Sequence, residues 1–121
     1  KGEDGKLRVR EVALGELKKR VVRVTPGQGV TYVTDALYSE GNAERIVELA
    51  AGSELLFIEA TFLDEDAQRA AQKFHLTARQ AGTLARRAGV NRLQVFHFSP
   101  KYRGMGEMLI REAMEAFSGT A

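Results

Sequence analysis

Past Asp35 the apolar residues stop recurring at every second position, and from there to the end short apolar runs alternate with segments of helical period. "NAERIVELAAG" places Ala43, Ile46, Val47 and Ala50 on one face of a helix, with Asn42 as its expected N-cap and Gly52 beyond its end. "ELLFIEA" reads as a short buried strand. "LDEDAQRAAQKF" then reads as a helix, with Asp64 as the expected cap and acids in the first turn, where the helix dipole favours them. "TARQAGTLARRAG" opens on the Thr77-to-Gln80 spacing of a capping box, carries Ala81, Leu84, Ala85 and Ala88 on one face and stops at Gly89. "RLQVFHF" is the next strand, and "GEMLIREAMEAF" a closing helix with Leu109, Ala113, Ala116 and Phe117 inward. A chain that alternates in this way buries its strands in a mostly parallel sheet through right-handed crossovers, so the fold class is α/β.

The first third reads differently. "KLRVREV" and "RVVRVT" alternate basic and β-branched residues as half-exposed strands do, and Pro26-Gly27-Gln28-Gly29 is a strong turn before the strand "VTYVTD". Residues 1–28 are thus a β-rich lead-in, antiparallel in character, to an alternating β/α body over 29–121. The 121 residues make one domain, able to bury roughly two-thirds of its unfolded surface. With no cysteine, disulfides and thiolate metal sites are excluded, any metal must use His, Asp or Glu, and the cytoplasm is the expected compartment. No apolar run approaches the ~20 residues of a membrane span. The chain opens without an initiator Met or a signal-peptide pattern, which leads us to expect a piece of something longer.

Net charge is only +2, but it is segregated: residues 1–25 carry eight basic and four acidic groups, 26–75 three and nine, and 76–121 seven and three. An acidic centre between basic flanks can hold cations near a polyanion, and it is equally what solvated helix faces look like. "TLARRAGVNRLQV" has the outline of a helix-turn-helix DNA reader. Its continuation "RLQVFHFSP" is rich in strand formers and soon meets Pro100, leaving no recognition helix.

In parallel sheets functional atoms gather at the carboxyl ends of strands, and Asp35, Glu59 and His97 all stand at or near such ends. Each has a plain alternative. His97 suits a hydrogen-bonded core residue or a ligand, and Asp35 a turn initiator or a metal or phosphate site. Glu59, between Ile58 and Ala60, must be paired if ionised, and His75 or a metal would serve. His75 itself is either part of that site or a residue just outside the helix cap. "SPKYRG" sets Lys101 and Arg103 beside Tyr102, either as phosphate contacts or as an exposed basic turn.

The ordered set "VTDA", "IEAT", "HLTA" and "HFSPKY", spread over residues 29 to 103, resembles the C-terminal half of the ribonuclease Z family, tRNA 3′-processing endonucleases of the metallo-β-lactamase fold. The resemblance implies half of an αββα sandwich, a mixed sheet with helices on one face. It implies that Asp35 and His97 are metal ligands, Asp35 bridging two Zn²⁺ ions in a complete enzyme (with Mn²⁺ as the alternative), and that His75, oriented by Glu59, is catalytic. Lys101 and Arg103 become auxiliary phosphate contacts. Two departures accompany the match: Thr34 replaces the family's glycine before Asp35, and Ile58 its histidine before Glu59. The family's His-x-His-x-Asp-His motif lies upstream of the region covered. Asp35 and His97 cannot complete two catalytic metal sites, each of which takes about three protein ligands. The expectation is therefore a C-terminal half-domain, inactive alone, partnered by a missing N-terminal half and acting on precursor tRNA, with an open sheet face that invites self-association. The alternatives are a hydrolase of small phosphodiesters or sulfate esters and a non-catalytic association domain of the same fold.

Overall fold

The computed structural model describes residues 9–14, 19–24, 29–34 and 38–119. Five strands form one sheet in sequence order: β1 (Val9–Leu14), β2 (Lys19–Val24), β3 (Val30–Thr34), β4 (Leu55–Glu59) and β5 (Arg92–Phe96). The first three pair antiparallel, with Val9 opposite Val24 and Val24 opposite Val30. From β3 onward pairing is parallel, Val33 lying beside Ile58 and Glu59 beside Phe96. The sheet is mixed, with its antiparallel part in the β-rich first third.

Each parallel step is made by helices. Between β3 and β4 runs α1 (Glu40–Ala50); between β4 and β5 run a 3₁₀ turn (Asp64–Asp66), α2 (Ala67–Gln72) and α3 (Ala78–Ala88); after β5 come a second 3₁₀ turn (Pro100–Tyr102) and α4 (Gly106–Ser118). Strand alternation explains which face they cover. Thr31, Val33, Leu56, Ile58, Leu93 and Val95 are buried beneath the helices, joined by Ile46 of α1, Leu84 of α3 and Leu109 of α4. The alternate positions carry Tyr32, Phe57, Gln94 and Phe96. Tyr32, 40% exposed, stacks on Phe57 with centroids 4.5 Å apart. This second face bears three aromatics that no described helix covers, as half of a two-sheet sandwich requires.

Local signals set most helix ends. Thr77 and Gln80 form the reciprocal capping box, and Gly89 ends α3 in the left-handed conformation at φ 69°. Two expected caps are corrected. Ser39, not Asn42, caps α1: its Oγ accepts the Asn42 amide at 3.2 Å, and Asn42 lies buried in the first turn. Asp64 caps no helix; it starts the 3₁₀ turn, and its carboxylate accepts from Thr77 Oγ1 at 3.3 Å and faces Arg79 at 3.6 Å. No helix among the described residues is long and apolar enough to cross a membrane.

Candidate functional site

β4 is the central strand of the parallel part, and its last residue, Glu59, is fully buried. An unpartnered carboxylate there would cost several kcal/mol, and the fold supplies nitrogens from two directions. Oε2 accepts the Leu76 backbone N–H at 3.0 Å and lies 2.9 Å from His75 Nδ1; Oε1 lies 3.5 Å from His97 Nδ1. One buried acid thus stands behind two imidazoles.

His75 is delivered by the end of α2. Phe74 takes a left-handed conformation at φ 61°, its N–H bonding Ala71 O at 3.1 Å while His75 N–H bonds Ala70 O at 2.9 Å. This is the Schellman closure, made with phenylalanine where glycine is usual. Beyond it, Thr61 N donates to Leu76 O and Ala78 N to Phe62 O, so the segment entering α3 runs beside the chain leaving β4. His97 follows β5 directly and is also left-handed, at φ 67°. Its neighbours are fixed by Ala60 N to Phe96 O and Ser99 N to Thr61 O, both 2.9 Å. Phe74 and His97 are the two non-glycine left-handed residues among those described, each strained by ~1–2 kcal/mol, and both border this site. The rings of His75 and His97 lie 5.6 Å apart, nearly perpendicular.

Glu59, His75 and His97 each offer a ligand atom within 4.8 Å of the others, the donor chemistry that suits Zn²⁺. The short His75–Glu59 bond engages that carboxylate oxygen already. With Nδ1 of both imidazoles turned to Glu59, their Nε2 atoms are on the far side of each ring, the carboxylate–histidine arrangement in which the acid orients ligands from behind. The residues present therefore fit a metal at His97, with Glu59 in a supporting role. Asp35 lies outside the described residues.

His75 and His97 open into a cleft of about 490 Å³, lined also by Thr61, Arg69, Lys73, Phe98 and Lys101. Lys101 Nζ is 3.0 Å from Asp66 Oδ2, and the buried Tyr102 hydroxyl donates to the same carboxylate while accepting the Leu63 N–H at 3.1 Å. These contacts, Tyr102 first, hold the Asp66 carboxyl below the usual range; burial, helped by the bond to Asp66, pushes Tyr102 up to about 12. Arg103 is exposed and does not line the cleft. The structure thus brings together Glu59, His75 and His97, with Lys101 on the rim in an ion pair. Sequence reasoning passed over Arg69, Lys73 and the Asp66–Tyr102 pair. The four-residue spacing of the two cations was readable, but not the side of α2 that meets the cleft.

A family profile described as beta-lactamase superfamily domain matches residues 17–98. Among curated proteins, ribonuclease Z of Thermobifida fusca is 46% identical over 97 residues, 79% of this chain and 29% of that protein, and ribonuclease Z of Prochlorococcus marinus is 40% identical over 99 residues, 78% and 30%. The chain spans about three-tenths of the length of these relatives. Among solved structures, the metallo-beta-lactamase fold protein YhfI from Bacillus subtilis superposes with a TM-score of 0.78 at 22% identity, over 94% of this chain and 45% of that one. Human tRNase Z, short form, gives 0.67 at 26% identity, over 84% and 40%.

Proposed function

Because the chain belongs to the beta-lactamase superfamily domain family, we propose that it supplies the C-terminal share of the active site of a metal-dependent phosphodiesterase resembling ribonuclease Z. The observation that carries this reading is the buried Glu59 carboxylate bonded at 2.9 Å to His75, with His97 beside it at the end of the next strand. His97 and Asp35 would hold metal, the remaining ligands coming from residues outside this chain. Zinc, when bound, supplies a water of lowered pKa and neutralises charge at the phosphate. The chain's own contribution is proton transfer. Glu59 holds the Nδ1–H of His75, and with Nε2 also protonated that N–H would stabilise the scissile phosphate or give its proton to the departing oxygen. Lys101, held by Asp66, gives a positive rim beside it. The substrate is precursor tRNA and the compartment the cytoplasm. The aromatic face of Tyr32, Phe57 and Phe96 is where the rest of the sandwich, or a second copy, would pack.

The test is a graft. The matching segment of Thermobifida fusca ribonuclease Z is replaced by this chain and the hybrid assayed on a precursor tRNA and on a small chromogenic diester, with and without His75→Ala. Specific 3′ cleavage that His75→Ala abolishes, without loss of fold by circular dichroism, is expected. A folded hybrid that cleaves only the small diester, or that ignores His75→Ala, would overturn the reading.

A further inference from the structure

Three cations line the cleft beside His75 and His97, and their surroundings separate them. Lys101 is neutralised by Asp66 and sits over the Tyr102 ring. Arg69 of α2 and Lys73 at its C-cap are exposed, four residues apart, and no carboxylate among the described residues lies within ion-pairing distance of either. Among the described residues no acid lines the cleft, and Asp66, whose carboxyl feels the charge of Arg69, is already engaged by Tyr102 and Lys101. Two like charges at this spacing repel by a few tenths of a kcal/mol, a cost that an anion bound between them reverses. Their placement also runs against the local composition: residues 26–75 hold nine acidic groups and three basic ones, and two of those three are Arg69 and Lys73.

We propose that Arg69 and Lys73 bind backbone phosphate of a single-stranded nucleic acid on the α2 side of His75, so that the cleft takes a chain with at least one phosphate beyond the reacting one. The inference rests on the phosphodiesterase reading and adds to it the residues that would hold a second phosphate, one that a small diester lacks. Phosphate is the group recognised, so affinity is salt-dependent and indifferent to base sequence.

The experiment is fluorescence anisotropy of a single-stranded RNA oligonucleotide with the 121-residue chain between about 50 and 200 mM salt. Each phosphate contact on a single strand contributes about 0.7 to the slope of log affinity against log salt, so Arg69→Gln/Lys73→Gln should lower the slope by about 1.4 and weaken binding on the order of tenfold at low salt. Arg45→Gln/Arg111→Gln removes equal charge from α1 and α4 and should leave the slope unchanged. A DNA strand of the same length should lose affinity in parallel. The inference is overturned if the two double variants behave alike, if the cleft variant binds as the parent does, if only one nucleic acid is affected, or if the parent chain binds no RNA. Failure of the functional reading shows elsewhere, in a graft insensitive to His75→Ala, and RNA binding that survives His75→Ala yet needs Arg69 and Lys73 belongs to this inference alone.

Discussion

Replacing a helical glycine by alanine ordinarily stabilises a protein by about 0.5–1 kcal/mol, because glycine gives up more backbone freedom on folding. Gly82, in the middle of α3, should do the opposite. A Cβ built there would stand 2.1 Å from the carbonyl oxygen of Ala113 and 2.9 Å from the Ala116 Cβ, both on α4. Ordinary contact needs more than 3 Å, and the obstacle is backbone, so the two helices must separate by about 1 Å or more. Overpacking of this kind costs about 1–3 kcal/mol, and more where nothing flexible can yield. Net of the propensity gain, Gly82→Ala should destabilise by about 1–2 kcal/mol and lower Tm by roughly 4–8 °C. Gly41, in the first turn of α1, is the control: nothing lies within 4 Å of its Cβ, so Gly41→Ala should gain up to about 0.5 kcal/mol. Thermal and urea unfolding followed by circular dichroism measures both. The crossing also reaches the site, because Glu112 of α4 accepts from Asp64 N at 2.8 Å and from Arg79 N at 3.1 Å, anchoring the start of α3 just beyond His75. Equal stability of the two variants would refute the close-approach argument.

Two further predictions follow from the polar contacts. Glu59→Ala strands the buried Leu76 N–H and removes the partner of His75, so it should cost about 3 kcal/mol in urea unfolding, whereas Glu59→Gln keeps an acceptor for Leu76 and should cost less than half as much. Parity between the two would show that the carboxylate hub is not the anchor described. The Asp66–Tyr102 bond predicts both limbs of the stability–pH profile. Asp66 has a lowered folded pKa, so its contribution is present above about pH 4 and is lost as pH falls through the folded value; Asp66→Asn should flatten the acid limb. Tyr102 is raised to about 12, so its contribution holds below about pH 10 and is lost as pH climbs from there toward 12; Tyr102→Phe should remove that alkaline fall. It should also cost about 1–3 kcal/mol at neutral pH, because the Leu63 N–H loses its acceptor. Unchanged limbs in melts run across pH would count against the pair.

What could be read from the sequence is what neighbouring residues decide between themselves. The Thr77–Gln80 box, the Gly89 stop and the order of strands and helices are of this kind, as is the need of a carboxylate between Ile58 and Ala60 for a partner, which His75 meets. The caps of α1 and α2 were misread because Ser39 and Asn42 both suit an N-cap, and Asp64 suits one too. Long-range contacts broke those ties: Asn42 is buried, and Asp64 is drawn to Thr77 and Arg79 across the loop. The cationic wall was unreadable for the same reason. A six-residue helix has too weak a pattern to fix its rotation, and it is the burial of Ala70 that turns Arg69 and Lys73 outward to the cleft.

The site's energetics follow from its placement. Phe74 and His97 each hold a left-handed backbone at a cost of ~1–2 kcal/mol, which for Phe74 the two hydrogen bonds of its Schellman closure help to offset. Both segments converge on Glu59, which takes the Leu76 amide and His75 from one and faces His97 from the other. A buried acid is tolerable only with such partners, and those turns persist only because something holds them. The two burdens offset each other. The hydrogen bonds that Glu59 accepts from Leu76 and shares with His75 lie within this chain, whereas its contact with the half-exposed His97 is long at 3.5 Å and leaves that imidazole room to settle on a metal. Proton transfer would be preorganised in this part of the molecule and metal binding completed elsewhere, so His75 should keep its hydrogen bond to Glu59 with or without metal, while His97 should move when metal arrives.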